Sequence, residues 1–133
     1  MTINIVKIPI APKPKPRGQL GKYGNMTHSL KGYREWQDEL DKYLRIAKFI
    51  IPDNFYGIIY HFGIVKKRGG KPDISNLVGG IEDVLVKYDY INDDNYQVIK
   101  HYFASAIQSE KSFINIYVTD NKAEFLYVLN KLI

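Results

Sequence analysis

Apolar residues recur along this chain with two different periods, and the changes of period mark its elements. Ile3, Ile5, Ile8 and Ile10, with Val6 among them, form a β-branched run that predicts a first strand over 3–10. Leu30, Tyr33, Trp36, Leu40, Tyr43 and Ala47 then recur at steps of three and four residues, the spacing of a helical apolar face. Arg34, Glu35, Asp38, Glu39 and Lys42 fill the other faces, and Ser29 is a candidate cap. The aromatic and β-branched run 55–65 predicts a second strand with the composition of a central one. A second helix follows over 76–88, with Leu77, Ile81, Val84, Leu85 and Tyr88 on its apolar face. Residues 96–107 and 112–118 read as two more strands, and Gln108-Ser109-Glu110-Lys111 between them suggests a hairpin. Phe125, Leu126, Val128, Leu129 and Leu132 mark a closing helix over 122–133. The order β-α-β-α-β-β-α predicts an α+β (mixed α/β) fold: a single domain over 1–133, its mixed sheet packed by helices.

The segments between these elements are distinctive. In Ala11-Pro12-Lys13-Pro14-Lys15-Pro16-Arg17-Gly18, alternating prolines fix φ and remove donors, so the backbone should be extended. Such a tract suits a basic loop near nucleic acid, or a ligand for a Pro-binding adaptor. Asp89 to Asn95 is a turn rich in Asp and Asn. A length of 133 residues with 45% hydrophobic content argues for one globular domain with a real core. The absence of cysteine excludes disulfides, zinc-thiolate sites and cysteine nucleophiles. No signal-like pattern opens the chain, and no apolar run reaches membrane-spanning length. The expectation is a cytoplasmic protein with no membrane partner.

Charge adds a direction. The net charge of +5 is modest, but its placement is uneven. Lys7, Lys13, Lys15, Arg17 and Lys22 precede the first acid, Glu35; Lys66, Lys67, Arg68 and Lys71 form a second basic block. Glu82, Asp83, Asp89, Asp93 and Asp94 follow. Basic blocks around an acidic centre suit a polyanion held near a metal, although solvated loops and an acidic turn would give the same pattern.

The run Lys71-Pro72-Asp73-Ile74-Ser75-Asn76-Leu77 concentrates the chemistry. Asp73 stands where a helix should start, and its carboxylate could accept the N–H of Ser75 or Asn76, a cap worth roughly 1 kcal/mol. Ser75 could cap instead, leaving Asp73 for a hard cation such as Mg²⁺. Asp93-Asp94 is equally divided between a turn and a ligand. Neither signal alone is specific.

Together they resemble a known pattern. Lys71 to Leu77, then Glu82-Asp83-Val84-Leu85, then Asn92-Asp93-Asp94-Asn95-Tyr96-Gln97-Val98, is similar to the signature of the RusA family of Holliday junction resolvases. The resemblance implies a homodimeric, Mg²⁺- or Mn²⁺-dependent endodeoxyribonuclease that cuts opposed strands of a four-way DNA junction, serving recombination or repair. It implies metal-site carboxylates at Asp73 and Asp94, with Asp93 beside the latter, and a less defined role for Asp83 as ligand or base. Lys13, Lys15, Arg17, Lys66, Lys67, Arg68 and Lys71 would grip phosphates, and selectivity would come from junction shape. A setting near the nucleoid or in a phage is implied as well.

Two positions depart from the pattern. The family's second aspartate is Ser75 here, and a lysine four residues further on is Gly79. One anion and one cation are lost together, and Lys71 and Lys87 are candidates to replace the cation. The departures motivate a rival reading, a catalytically silent junction-binding module. Gly79-Gly80 in a helix interior costs roughly 1 kcal/mol per glycine relative to alanine and calls for a close backbone approach. His28, His61 and His101 show no ligand spacing, and Trp36 reads as core.

Overall fold

A computed structural model describes residues 4–16, 26–66 and 72–133. The elements are β1 (Asn4–Ile8), α1 (Met26–Ile46), β2 (Gly57–Ile64), α2 (Ile74–Lys87), β3 (Tyr102–Gln108), β4 (Phe113–Thr119) and α3 (Lys122–Leu132), the order expected from the periodicity. The architecture is α+β, with a four-stranded mixed sheet in the order β1-β4-β2-β3. β2 is indeed central, with every residue from Gly57 to Gly63 buried. It pairs in parallel with β3 and antiparallel with β4. β1 pairs antiparallel with β4.

The strand period of two sends alternate side chains to opposite faces. Ile58, Tyr60 and Phe62 of β2, Ile114, Ile116 and Val118 of β4, and Val6 and Ile8 of β1 enter the main core. Tyr33, Trp36, Leu40 and Leu44 of α1 and Leu77, Ile81, Val84 and Leu85 of α2 close it from the helix side. Trp36 is a core residue, stacked on Tyr33. Each such aliphatic side chain contributes about 1.5–3 kcal/mol on burial. On the other face, α3 sets Phe125 over Gly57, where a β-carbon would lie 2.7 Å from the ring.

Several boundaries differ from the expectation. Ser29 is not a cap, because α1 begins at Met26. α1 stops at Ile46, before Ala47, because Lys48 turns to the left-handed region (φ 54) and Phe49 N–H returns to the Leu44 carbonyl at 2.9 Å. The stretch 96–101 is not strand; Val98 and Ile99 N–H groups fold back onto the Asn95 carbonyl. β3 and β4 do not form a hairpin, since β2 lies between them. The short 109–112 link passes the end of β2, where Ser109 N–H donates to the Ile64 carbonyl at 2.8 Å. A strand buried on both faces gains most when it is also paired on both edges, and that outweighs the local turn. Among the described residues, no helix is long and apolar enough to cross a membrane.

Candidate active site

α2 begins where the chain meets Asp73. Its backbone is extended there (φ −79°, ψ 124°), and its Oδ1 accepts the Ser75 N–H at 2.9 Å and the Ser75 hydroxyl at 2.8 Å. Asp73 is therefore the cap, and Ser75 is its donor rather than the alternative cap. This satisfies one of the orphan N–H groups at the helix start. The hydroxyl at 75 is committed to the same carboxylate.

Further along α2, Glu82 and Asp83 project toward different partners. Asp83 Oδ2 accepts the hydroxyl of buried Tyr33 at 2.9 Å, and Oδ1 pairs with Lys15 Nζ at 3.2 Å. Glu82 Oε2 accepts the hydroxyl of fully buried Tyr60 at 2.9 Å. Burial raises the Glu82 carboxyl from its ordinary 4.5 to about 7; Asp94 and Asp83 push it the same way, while the Tyr60 hydroxyl and Lys15 oppose them. Tyr33 and Tyr60 are both raised above the usual phenol value, first by burial and then by the carboxylates they donate to.

Asp94 reaches this group from the turn after α2. That turn is shaped by Asp93, whose Oδ1 accepts the Asp94 N–H at 2.7 Å and whose Oδ2 accepts the Asn95 side chain at 3.0 Å. Asn95 Oδ1 in turn accepts the Gln97 N–H at 3.0 Å. Asp94 is exposed, yet close enough for its charge to act on Glu82 and Tyr60. The charges of Asp94 and Asp83 thus both reach Glu82. Asp73 caps the start of α2 and Asp83 lies ten positions along the chain, roughly 15 Å away along the helix axis, so those two do not share one ion.

The proline tract is a strap across both helices. Residues 11–16 belong to no helix or strand; the Ala11 carbonyl accepts Trp36 Nε1–H at 2.8 Å and Lys15 N–H donates to the Asn76 carbonyl at 3.0 Å. A β-carbon on Gly80 would lie 2.3 Å from the Lys13 carbonyl oxygen. Gly80 is thus explained by a packed element of the chain itself, whereas a β-carbon at Gly79 would make only ordinary contact, at 3.5 Å, with the Lys15 side chain. Packing of this kind is contrary to a tract held free for an adaptor. Lys66 is exposed. Arg17, Lys67, Arg68 and Lys71 lie outside the described residues. Lys87 does not supply a cation to the acidic group; it donates to Gln37 at 3.0 Å.

A family model described as Endodeoxyribonuclease RusA matches residues 9–119. The chain belongs to the RusA family. No curated protein matches it. The RusA match takes in the strap, both core helices, the Asp93–Asp94 turn and β2 through β4; β1 and α3 lie outside it.

Carboxylate oxygens are the donors a hard divalent cation takes, and the Glu82 carboxyl, raised first by burial and then further by Asp94 and Asp83, lies within reach of two other acids. The donor set fits in chemistry and charge, although among the described residues no three acidic or histidine side chains converge on one point. The histidines stay outside this group where their side chains are described. His61 is buried with Nδ1 2.6 Å from the Ser105 hydroxyl, and His101 stacks on Tyr56. Glu82 was not among the candidate site residues read from the sequence, yet the structure places it beside them, bonded to Tyr60. Its signal was present, an acid at i−1 from Asp83 in an apolar helix, but its partner Tyr60 lies on another element.

Proposed function

We propose that this RusA-family chain is a divalent-metal-dependent, structure-selective endodeoxyribonuclease that resolves four-way junctions as a homodimer, each protomer cutting one of two opposed strands. The observation that carries this reading is the RusA match over residues 9–119, supported by the reach of the Asp94 and Asp83 charges to Glu82 beside the basic strap. Asp94, with Glu82 and Asp83, would hold the Mg²⁺ or Mn²⁺ ion on this side of α2, and Asp73 would offer its carboxylate at the exposed start of the helix. When bound, the ion neutralises charge on the scissile phosphate and makes water more acidic.

The protein's own groups do the rest. Tyr33 and Tyr60 fix the rotamers of Asp83 and Glu82, so these carboxylates need little reorganisation when substrate arrives. Asp93 shapes the turn that presents Asp94. Lys13 and Lys66, with Arg17, Lys67, Arg68 and Lys71, grip phosphates without reading sequence. A two-fold dimer supplies the two related sites that symmetric incision needs.

Ser75 favours a second reading. Its hydroxyl is absorbed by the Asp73 cap, so nothing at position 75 replaces the missing carboxylate locally, and the scaffold would bind junctions without cutting. One assay separates the two. A labelled four-way junction and a linear duplex are incubated with the protein and Mg²⁺, Mn²⁺ or chelator. Paired, metal-dependent nicks in the junction but not the duplex support the nuclease; binding with no nicks under any metal supports the silent module and overturns the first reading.

A further inference from the structure

The strap does more than cover α2. Gly80 admits its backbone: a β-carbon there would meet the Lys13 carbonyl oxygen at 2.3 Å. Gly79 admits a side chain instead. A β-carbon at 79 would lie 3.5 Å from both Cβ and Cδ of Lys15, so the lysine stem occupies the space over that glycine. The Lys15 backbone is held in register by its N–H bond to the Asn76 carbonyl. From this seat the ammonium stands 3.2 Å from Asp83 Oδ1, and its charge acts on Glu82 as well. The Lys15 side chain is 52% exposed and that of Asp83 is 26% exposed. The cation therefore sits at the rim of the acidic group, with the carboxylates behind it and solvent in front.

We infer that Lys15 is the active-site cation of this chain, carried in by the strap, seated over Gly79, and presented beside the α2 carboxylates to the scissile phosphate. The inference rests on the nuclease reading above. It separates Lys15 from the residues that only grip DNA. A phosphate approaching carboxylates is repelled unless positive charge stands between them, and Lys15 supplies a fixed one beside that of a bound ion. Such a charge contributes most where negative charge grows on the phosphate oxygens during cutting, so it acts on the rate more than on binding.

The geometry also specifies a rescue. A lysine introduced at 79 would leave α2 under the space the Lys15 stem now fills, so its ammonium can replace the one removed. Lys15→Met keeps a stem of similar length without the charge. Single-turnover cutting of a four-way junction is measured with Mg²⁺ at saturating protein, and junction Kd is measured in chelator, for wild type, Lys15→Met, Lys15→Ala and Lys15→Ala/Gly79→Lys. The expected result for Lys15→Met is a rate at saturation reduced by about 100-fold or more, with Kd weakened only several-fold. The double variant is expected to regain at least about tenfold over Lys15→Ala. Wild-type cutting by Lys15→Met at saturation, or a defect confined to Kd, overturns the inference and leaves the nuclease reading standing. A wild-type protein that binds the junction and never cuts overturns both.

Discussion

Gly79 and Gly80 are neighbours in one helix, and replacing each with alanine should have opposite effects. Taken alone, either change gains about 1 kcal/mol of helix propensity. At Gly79 the new methyl would make ordinary contact with the Lys15 stem at 3.5 Å, so most of that gain should survive. At Gly80 the methyl would lie 2.3 Å from the Lys13 carbonyl oxygen, and backbone cannot yield as a side-chain tip can. The strap must retreat by about 1 Å to reach ordinary van der Waals separation. That strains the Lys15 N–H to Asn76 carbonyl bond, worth about 1 kcal/mol, and overpacking of this kind costs about 1–3 kcal/mol. Gly80→Ala should therefore be destabilised by about 1–2 kcal/mol net, and should lie roughly 2 kcal/mol below Gly79→Ala. Paired urea and thermal unfolding curves measure the difference, which corresponds to several degrees in Tm. Junction cutting should fall in Gly80→Ala as well, because the displaced strap carries Lys15 with it. Equal midpoints for the two variants, or a more stable Gly80→Ala, would refute the packing of the strap on α2.

Three other outcomes follow from the site. Asparagine caps helices about as well as aspartate, so Asp73→Asn should unfold within about 0.5 kcal/mol of wild type while losing metal-dependent cutting and keeping junction binding; wild-type cutting would remove Asp73 from the chemistry. Glu82 is raised from 4.5 to about 7, so its contribution to stability is complete below 4.5 and is lost as pH rises through 7. Glu82→Gln, which can still accept from Tyr60, should flatten the fall of Tm between those pH values and be the more stable protein above 7; an unchanged slope would show that the Glu82 environment is wrongly described. On the proposed phosphate grip by the basic residues of the strap and of the segment from Lys66, junction affinity in chelator should weaken steeply with salt, and a flat response would exclude that grip.

The elements were legible because each rests on contacts within a few residues. The three-and-four spacing of Tyr33, Trp36 and Leu40 reports a helix face wherever the helix packs, and all three entered the core. The buried run from Gly57 to Gly63 read as central for the same reason. The hairpin between β3 and β4 failed because a short polar link says nothing about a third strand inserting between its neighbours. Tyr96 and Val98 have strand-like side chains, but the Asp93 and Asn95 side chains bond to local backbone N–H groups and hold the segment in turns.

The sequence by itself determined the helices and strands and the separation of basic from acidic segments, because periodicity and charge are properties of neighbouring residues; it left the α2 cap open between Asp73 and Ser75, and the structure decided for Asp73. Only the tertiary structure decided which charges meet. Glu82 found Tyr60 across twenty-two positions, Asp83 found Tyr33 across fifty, and Lys15 came over Gly79 from the far end of the chain. Coulomb and hydrogen-bond energies fall with distance in space and take no account of distance in sequence. A glycine that reads in the sequence as a missing lysine is, once folded, the seat of one supplied from elsewhere.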